Sequence, residues 1–208
     1  MISHALTIII NEMDKHFADT YLLGDPTKVE LGNLAEGFTA NGDSREKLVL
    51  SMVNIREEKT LKNVPNYLRN NITHSIIYEN PPVFLNFQIL ITATHSNYTN
   101  ALLVLSRAIR FFQFKNVFTQ DNVDSLSISK HRPDNPLDQL DAFKLIFDLY
   151  SPTMEEVNHL WGTLGGKQYP FVLYMLRMLD LKFNAIQNES SGITDIVRDI
   201  YHKKPLVG

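Results

Sequence analysis

The stretch Pro81–Phe114, PPVFLNFQILITATHSNYTNALLVLSRAIRFFQF, carries two hydrophobic periods in succession. From Val83 to Thr94 the period is two. Val83, Leu85, Phe87, Ile89, Ile91 and Ala93 share one face, and Phe84, Asn86, Gln88, Leu90, Thr92 and Thr94 share the other. From Tyr98 the period lengthens. Tyr98, Leu102, Leu105, Ile109 and Phe112 recur at three and four residues, the stripe expected to face the core of a helix. Asn97 stands where an N-cap belongs, and Arg107 and Arg110 can reach solvent. A half-polar strand running into an amphipathic helix predicts an antiparallel sheet with one face on the core.

The flanking sequence repeats this grammar. Lys47–Arg56 alternates as a second strand, and Phe143–Tyr150 as a third. Phe171–Phe183 reads as a fourth strand, although its apolar content also fits a helix. A short strand is possible at Val29–Leu31. Before these, Ile2, Leu6, Ile9, Ile10, Met13 and Phe17 make a helical stripe, with Ser3 as its expected cap and Gly24-Asp25-Pro26 as its stop. Ser151-Pro152, with Glu155 and Glu156 in the first turn, opens another helix, which Gly165-Gly166 ends. The fold class read from these elements is α+β: a small, mostly antiparallel sheet of about four strands flanked by helices.

Two connections are long. Residues 57–80 and 119–141 are polar, show no period, and are expected to be surface excursions with a role in contacts. The chain divides into a body, 1–183, and a C-terminal arm, 184–208. The arm opens with a polar linker, Asn184–Gly192. Ile193, Ile196, Val197, Ile200 and Tyr201 then form an apolar set too small for a core of its own. Either an extended strand added to a neighbour or a short helix suits that set.

Composition narrows the function. The 208 residues include no cysteine, so thiol catalysis, thiolate metal sites and disulfides are excluded. A net charge of -3 argues against a general nucleic-acid binder. Asn11, Glu12, Asp14 and Lys15 interrupt the N-terminal apolar run, which excludes a signal-peptide core or a membrane span there. Without a secretion signal, the sequons at Asn71, Asn97 and Asn188 carry no weight.

A search for chemistry finds no catalytic or metal-ligating constellation. No two of the seven histidines stand at i, i+4. Asp134, Asp138 and Asp141 lack the Gly and terminal Glu of a calcium loop. Gly165-Gly166-Lys167 follows a helix and therefore is no phosphate loop. Trp161 reads as a core anchor. An enzyme would have to assemble a pocket from dispersed residues such as His159, Glu156 and Tyr174. The residues expected to meet a partner are Lys59, Lys62 and Arg69 in the first excursion and Ile193, Ile196, Ile200 and Tyr201 in the arm.

Five stretches carry a family resemblance. They are Val53–Asn63 (VNIREEKTLKN), Asn80–Val83 (NPPV), Phe111–Phe118 (FFQFKNVF), Glu156–Gly166 (EVNHLWGTLGG) and Tyr169–Tyr174 (YPFVLY). In this order they resemble the N-terminal domain of the tube-terminator, or cap, proteins of extracellular contractile injection systems. These are particles of the antifeeding-prophage and Photorhabdus virulence cassette type, and the spacing is most similar to the Bacteroidetes branch. The resemblance covers residues 1 to about 183. It implies a tail-terminator-like fold, no catalytic residues and no cofactor. It also implies a six-fold ring of copies closing the end of the inner tube and meeting the sheath, assembled in the cytoplasm. Larger members carry a further C-terminal domain, so a role as adaptor to a second cap protein is also open.

Overall fold

The computed structural model describes residues 1–21, 27–36, 45–58, 67–70, 75–78, 83–140, 142–181 and 188–191. The chain falls into two compact units: residues 1–60 with 83–181, and residues 61–82 with 182–208.

The first unit is built on a six-stranded sheet. Its strands are β1 (Lys28–Leu31), β2 (Lys47–Glu57), β5 (Val83–Ala93), β6 (Val117–Thr119), β7 (Lys144–Tyr150) and β8 (Phe171–Leu181). They lie side by side in the order β1-β2-β5-β8-β7-β6. All pairs are antiparallel except β1 with β2, which is parallel. The expected sheet of about four mostly antiparallel strands is therefore mixed and larger. The two additions are short edge strands. Val29–Leu31 forms part of β1, and β6 follows directly on the central helix, where the sequence showed too few residues for a period.

Four α-helices lie among the described residues of this unit: α1 (Ile2–Thr20), α2 (Tyr98–Phe114), α3 (Ser125–Ser129) and α4 (Met154–Thr163). One face of the sheet carries the main core. Leu48 and Leu50 of β2, Phe87, Ile89 and Ile91 of β5, and Tyr174 and Leu176 of β8 pack there under α1 and α2. Rings dominate its centre. Phe112 lies 4.7 Å from Phe147, 4.6 Å from Tyr174 and 5.1 Å from Phe111, centroid to centroid.

The opposite face is not left to solvent, as the half-polar alternation of β5 had suggested. It carries a second, smaller core of Leu34, Val49, Leu90, Trp161 and Leu173. Leu90, on the polar side of the alternation, is completely buried because α4 covers it. Lower on the same face the strands stay polar. Asn54 donates to Gln88, and Arg177 pairs with Asp148.

The helix ends follow local chemistry, with two corrections. Asn97 caps α2 as expected, its side chain accepting from the Thr99 and Asn100 amides. Ser3 does not cap α1, which already begins at Ile2. Helix α4 starts later than Ser151-Pro152. Thr153 caps it, and Glu156 closes a capping box by accepting from the Thr153 amide. The end of α4 is as read. Gly165 and Gly166 have φ of 89° and 76°, and the Gly166 amide donates to the Trp161 carbonyl.

Residues 119–141 are more ordered than their composition suggested. They contain α3 and a 3₁₀ turn at Pro136–Asp138, and buried polar side chains tie them to α1. His4 is completely buried; its Nε2 faces the Ile128 carbonyl at 3.0 Å, and its Nδ1 accepts from the Leu140 amide at 3.0 Å. Those contacts require the tautomer with the proton on Nε2. Asn11 donates to the Ser127 and Lys130 carbonyls. Lys15 pairs with Asp124.

Glu12 accepts from Lys115 at 2.7 Å and from the Asp124 amide at 3.0 Å. Burial on its own would raise its pKa. The hydrogen bonds from Lys115, Ser127 and the Asp124 amide outweigh that and hold it below its ordinary value of 4.5. A depressed carboxylate stabilises the fold fully above about pH 4.5, and that contribution is lost as acid protonates it in the fold. Glu12→Gln is expected to cost roughly 1.5–3 kcal/mol at pH 7. The gap in melting temperature between variant and wild type should narrow steadily below pH 4.5; a gap of constant size would refute this account.

The second unit contributes three short strands: β3 (Tyr67–Asn70), β4 (Ser75–Tyr78) and β9 (Asn188–Ser191). They form an antiparallel sheet in the order β3-β4-β9. The first excursion, 57–80, thus contains a hairpin, and part of the expected linker, Asn188–Ser191, is a strand paired with β4 of its own chain.

Candidate assembly surfaces

The residues that could have built an active site do not converge. Tyr174 lies in the main core among Phe112 and Phe147, where burial pushes its phenol up to about 12. Glu156 and His159 belong to α4, which covers the other face of the sheet. Glu156 is occupied by the capping box and by the Tyr150 hydroxyl at 2.8 Å, and these hydrogen bonds lower its pKa. His159 is exposed, with its Nε2 3.7 Å from Glu155. Among the described residues no group of three or more His, Asp or Glu could hold a metal. None of their helices is long and apolar enough to cross a membrane.

Of the residues expected to meet a partner, only Arg69 is among the described residues. Lys59, Lys62, Ile193, Ile196, Ile200 and Tyr201 lie outside the described residues. Arg69 stands on β3, opposite Ile76 of β4.

The first unit presents apolar surfaces that no described residue covers. The first is a sheet edge. Strand β1 stops after Leu31, and the Gly32 amide donates to the Leu50 carbonyl as the chain turns away. Gly32 is required at this turn, because a Cβ there would sit 2.8 Å from Cγ1 of Val49. Ser51 Oγ then donates to the Gly32 carbonyl at 2.5 Å. Strand β2 runs on past this point, with Met52 and Ile55 exposed and a bulge between Met52 and Asn54. Where β1 gives out, a groove of about 510 Å³ opens between Leu31, Leu34, Met52, Val53, Leu160 and Leu164. A bulge at an edge blunts it against uncontrolled strand pairing.

The second surface is the outside of α2. Its buried residues are Ala101, Val104, Leu105, Ala108, Phe111 and Phe112. The expected stripe of Tyr98, Leu102, Leu105, Ile109 and Phe112 is therefore only partly buried. Tyr98 is 67% exposed, Leu102 43% and Ile109 39%. The reason is geometric. Ala101 and Ala108 have no bulk, so the helix approaches the sheet on their side, and the larger apolar residues beside them turn outward. Leu105 and Phe112 belong to both arcs, which made the wrong one look complete. Leu103 and Phe114 are exposed on the same helix, and Leu126 and Leu137 on the segment after it.

Nothing in the sequence singled out the β2 edge, since its exposure depends on β1 being short. The outer face of α2 was visible as a stripe but assigned to the core.

Comparison with known proteins identifies the family and the fold. A family model, the Pvc16 N-terminal domain, matches residues 4–195. Among solved structures, the chain is similar to the sheath/tube terminator, in its extended state, of PVC, an extracellular contractile injection system. The TM-score is 0.62 at 11% identity, covering 100% of this chain and 65% of that one. It is also similar to the tube-terminating cap of the anti-feeding prophage, with a TM-score of 0.57 at 13% identity over 92% of this chain and 60% of that one. The chain thus spans less than two thirds of the length of either. A search of curated proteins finds no match. With the family model matching nearly the whole length, the chain belongs to the Pvc16 N-terminal domain family.

Proposed function

We propose that this chain is a structural terminator of a contractile injection system, closing the end of the inner tube and meeting the last layer of sheath. The observation that carries the reading is the full-length likeness to a sheath/tube terminator, together with membership of the family. The separation of Tyr174 from Glu156 and His159 by the thickness of the sheet supports a non-enzymatic role.

The physical task of a terminator is to offer one face to the tube end and none to a further ring. A closed ring meets this by head-to-tail contacts that satisfy every copy. We place six copies in the ring, with the tube protein on one side and the sheath protein beside it. A second cap protein sits above when the chain acts as an adaptor. No cofactor or nucleic acid enters this role. The ring assembles in the cytoplasm before it becomes part of the particle. The excursion 57–80 and the arm 184–208 supply contacts, including those of Lys59, Lys62 and Arg69. Since β9 already pairs with β4 of its own chain, the reach toward a neighbour is assigned to the residues after Ser191.

The test is deletion of this chain from a producing strain, with electron microscopy of the particles. Loss of uniform tube length is expected, restored by the wild-type chain, with six-fold density for it at one tube end. Particles of normal length and composition without the chain would overturn the reading.

A further inference from the structure

We propose that the edge of β2 past the end of β1 is a docking slot for an extended segment of another protein, which joins the sheet there as an added strand. Along β2 the backbone turns alternately toward its two neighbours. The Lys47 carbonyl accepts from the Thr94 amide on the β5 side, and the Leu50 carbonyl accepts from the Gly32 amide on the β1 side. Met52, two residues on, therefore turns its amide and carbonyl to the side that β1 has left. Past the bulge the Glu58 amide donates to the Phe84 carbonyl of β5, so the amide and carbonyl of Ile55 also turn outward. No described residue pairs with Met52 or Ile55 on that side. A row of such groups is a template for a further strand.

The chemistry of the occupant follows from the walls. The groove of about 510 Å³ where β1 ends has Leu6 of α1 on one side of the sheet and Leu160 and Leu164 of α4 on the other, with Leu50 and Met52 along its floor. Side chains of a strand point alternately to the two sides of a sheet. Both sides are apolar here, so the entering segment carries a run of adjacent apolar residues, as a strand buried on both faces does. None of the residues around the groove is charged, and a charged side chain entering it would lose water without gaining a counter-ion. Two copies of this chain cannot fill the slot by joining their β2 edges, because each edge is recessed between its own α1 and α4. Every strand among the described residues is already held in a sheet. The segment therefore comes from a different protein, and this pairing does not depend on the terminator role.

The test uses the full chain and random nonapeptides displayed on phage. Peptides are selected on the wild-type chain and counter-selected on Thr163→Arg, which puts a charge at the groove from an exposed position of α4. Selected peptides should share a run of adjacent uncharged apolar residues and bind Thr163→Arg roughly tenfold more weakly. Met52→Pro removes an outward-facing donor at an edge, where proline is tolerated, and should also weaken binding roughly tenfold. Melting curves establish which variants fold, and hydrogen exchange on the wild-type chain needs neither. With saturating peptide the Met52 and Ile55 amides should exchange roughly tenfold more slowly. Selected peptides that carry their apolar residues at helical spacing, or that leave those two amides unprotected, overturn the proposal. So does a selection that yields no peptide preferring the wild-type chain. Met52 and Ile55 amides as protected in the free chain as those of Leu48 and Leu50 would mean that the chain fills its own edge. Protection that grows with protein concentration would mean that a second copy does. Either result also overturns the proposal.

Discussion

Trp161→Ala should lower stability by about 3–5 kcal/mol, a large fraction of the roughly 5–15 kcal/mol that holds a typical domain folded. Trp161 is the one residue of α4 that is buried, at 5% exposure. Its indole lies 5.3 Å from the ring of Phe171 and 6.3 Å from that of Tyr169. Leu90, Leu173, Val49 and Leu34 complete the cluster. Removing it leaves α4 held by half-buried Val157, Leu160 and Leu164 and by the Tyr150–Glu156 hydrogen bond, and reopens the second face of the sheet to water. The indole N–H, however, is buried with no hydrogen-bond partner among the described residues, and a donor left unpaired there costs the native state. Trp161→Phe keeps a ring in the cluster and removes the orphan donor, so it should lose far less, about 1–2 kcal/mol. Thermal and urea denaturation of the two variants decide the point. If Trp161→Ala melts with the wild type, the residue is no core anchor.

Phe112→Ala should be as damaging, roughly 3–5 kcal/mol, by a different route. Phe112 joins α2 to the sheet at a point where five rings meet, stacking on Phe147 and touching Phe111, Phe118 and Tyr174. A cavity there is lined by rigid aromatic groups that relax poorly into it, which places the cost toward the upper end. Phe114→Ala, two positions along the same helix, is the control. Phe114 is exposed, so its loss should change stability by under about 1 kcal/mol. Equal losses from the two substitutions would contradict the packing described for α2.

Much of this was determined by the sequence alone. The two-residue period of Val83–Ala93 and the turn to a helical period at Asn97 established the central strand and helix, because side-chain direction follows backbone geometry wherever one face is buried. Caps and stops at Asn97 and Gly165-Gly166 were likewise local chemistry. The five quoted stretches carried the family resemblance, and the match over residues 4–195 agrees with it.

Tertiary structure decided the rest, for one physical reason: burial is set by what packs opposite, and neighbours in space are not neighbours in sequence. Leu90 looked half-exposed until α4 covered it. Tyr98, Leu102 and Ile109 looked buried until Ala101 and Ala108 brought the other side of α2 against the sheet. Edge strands β1 and β6, of four and three residues, are too short to show a period and exist because a longer strand offers them a ladder. The exposed part of β2 is what remains where β1 ends, a difference in length between two strands that no reading of either one could supply.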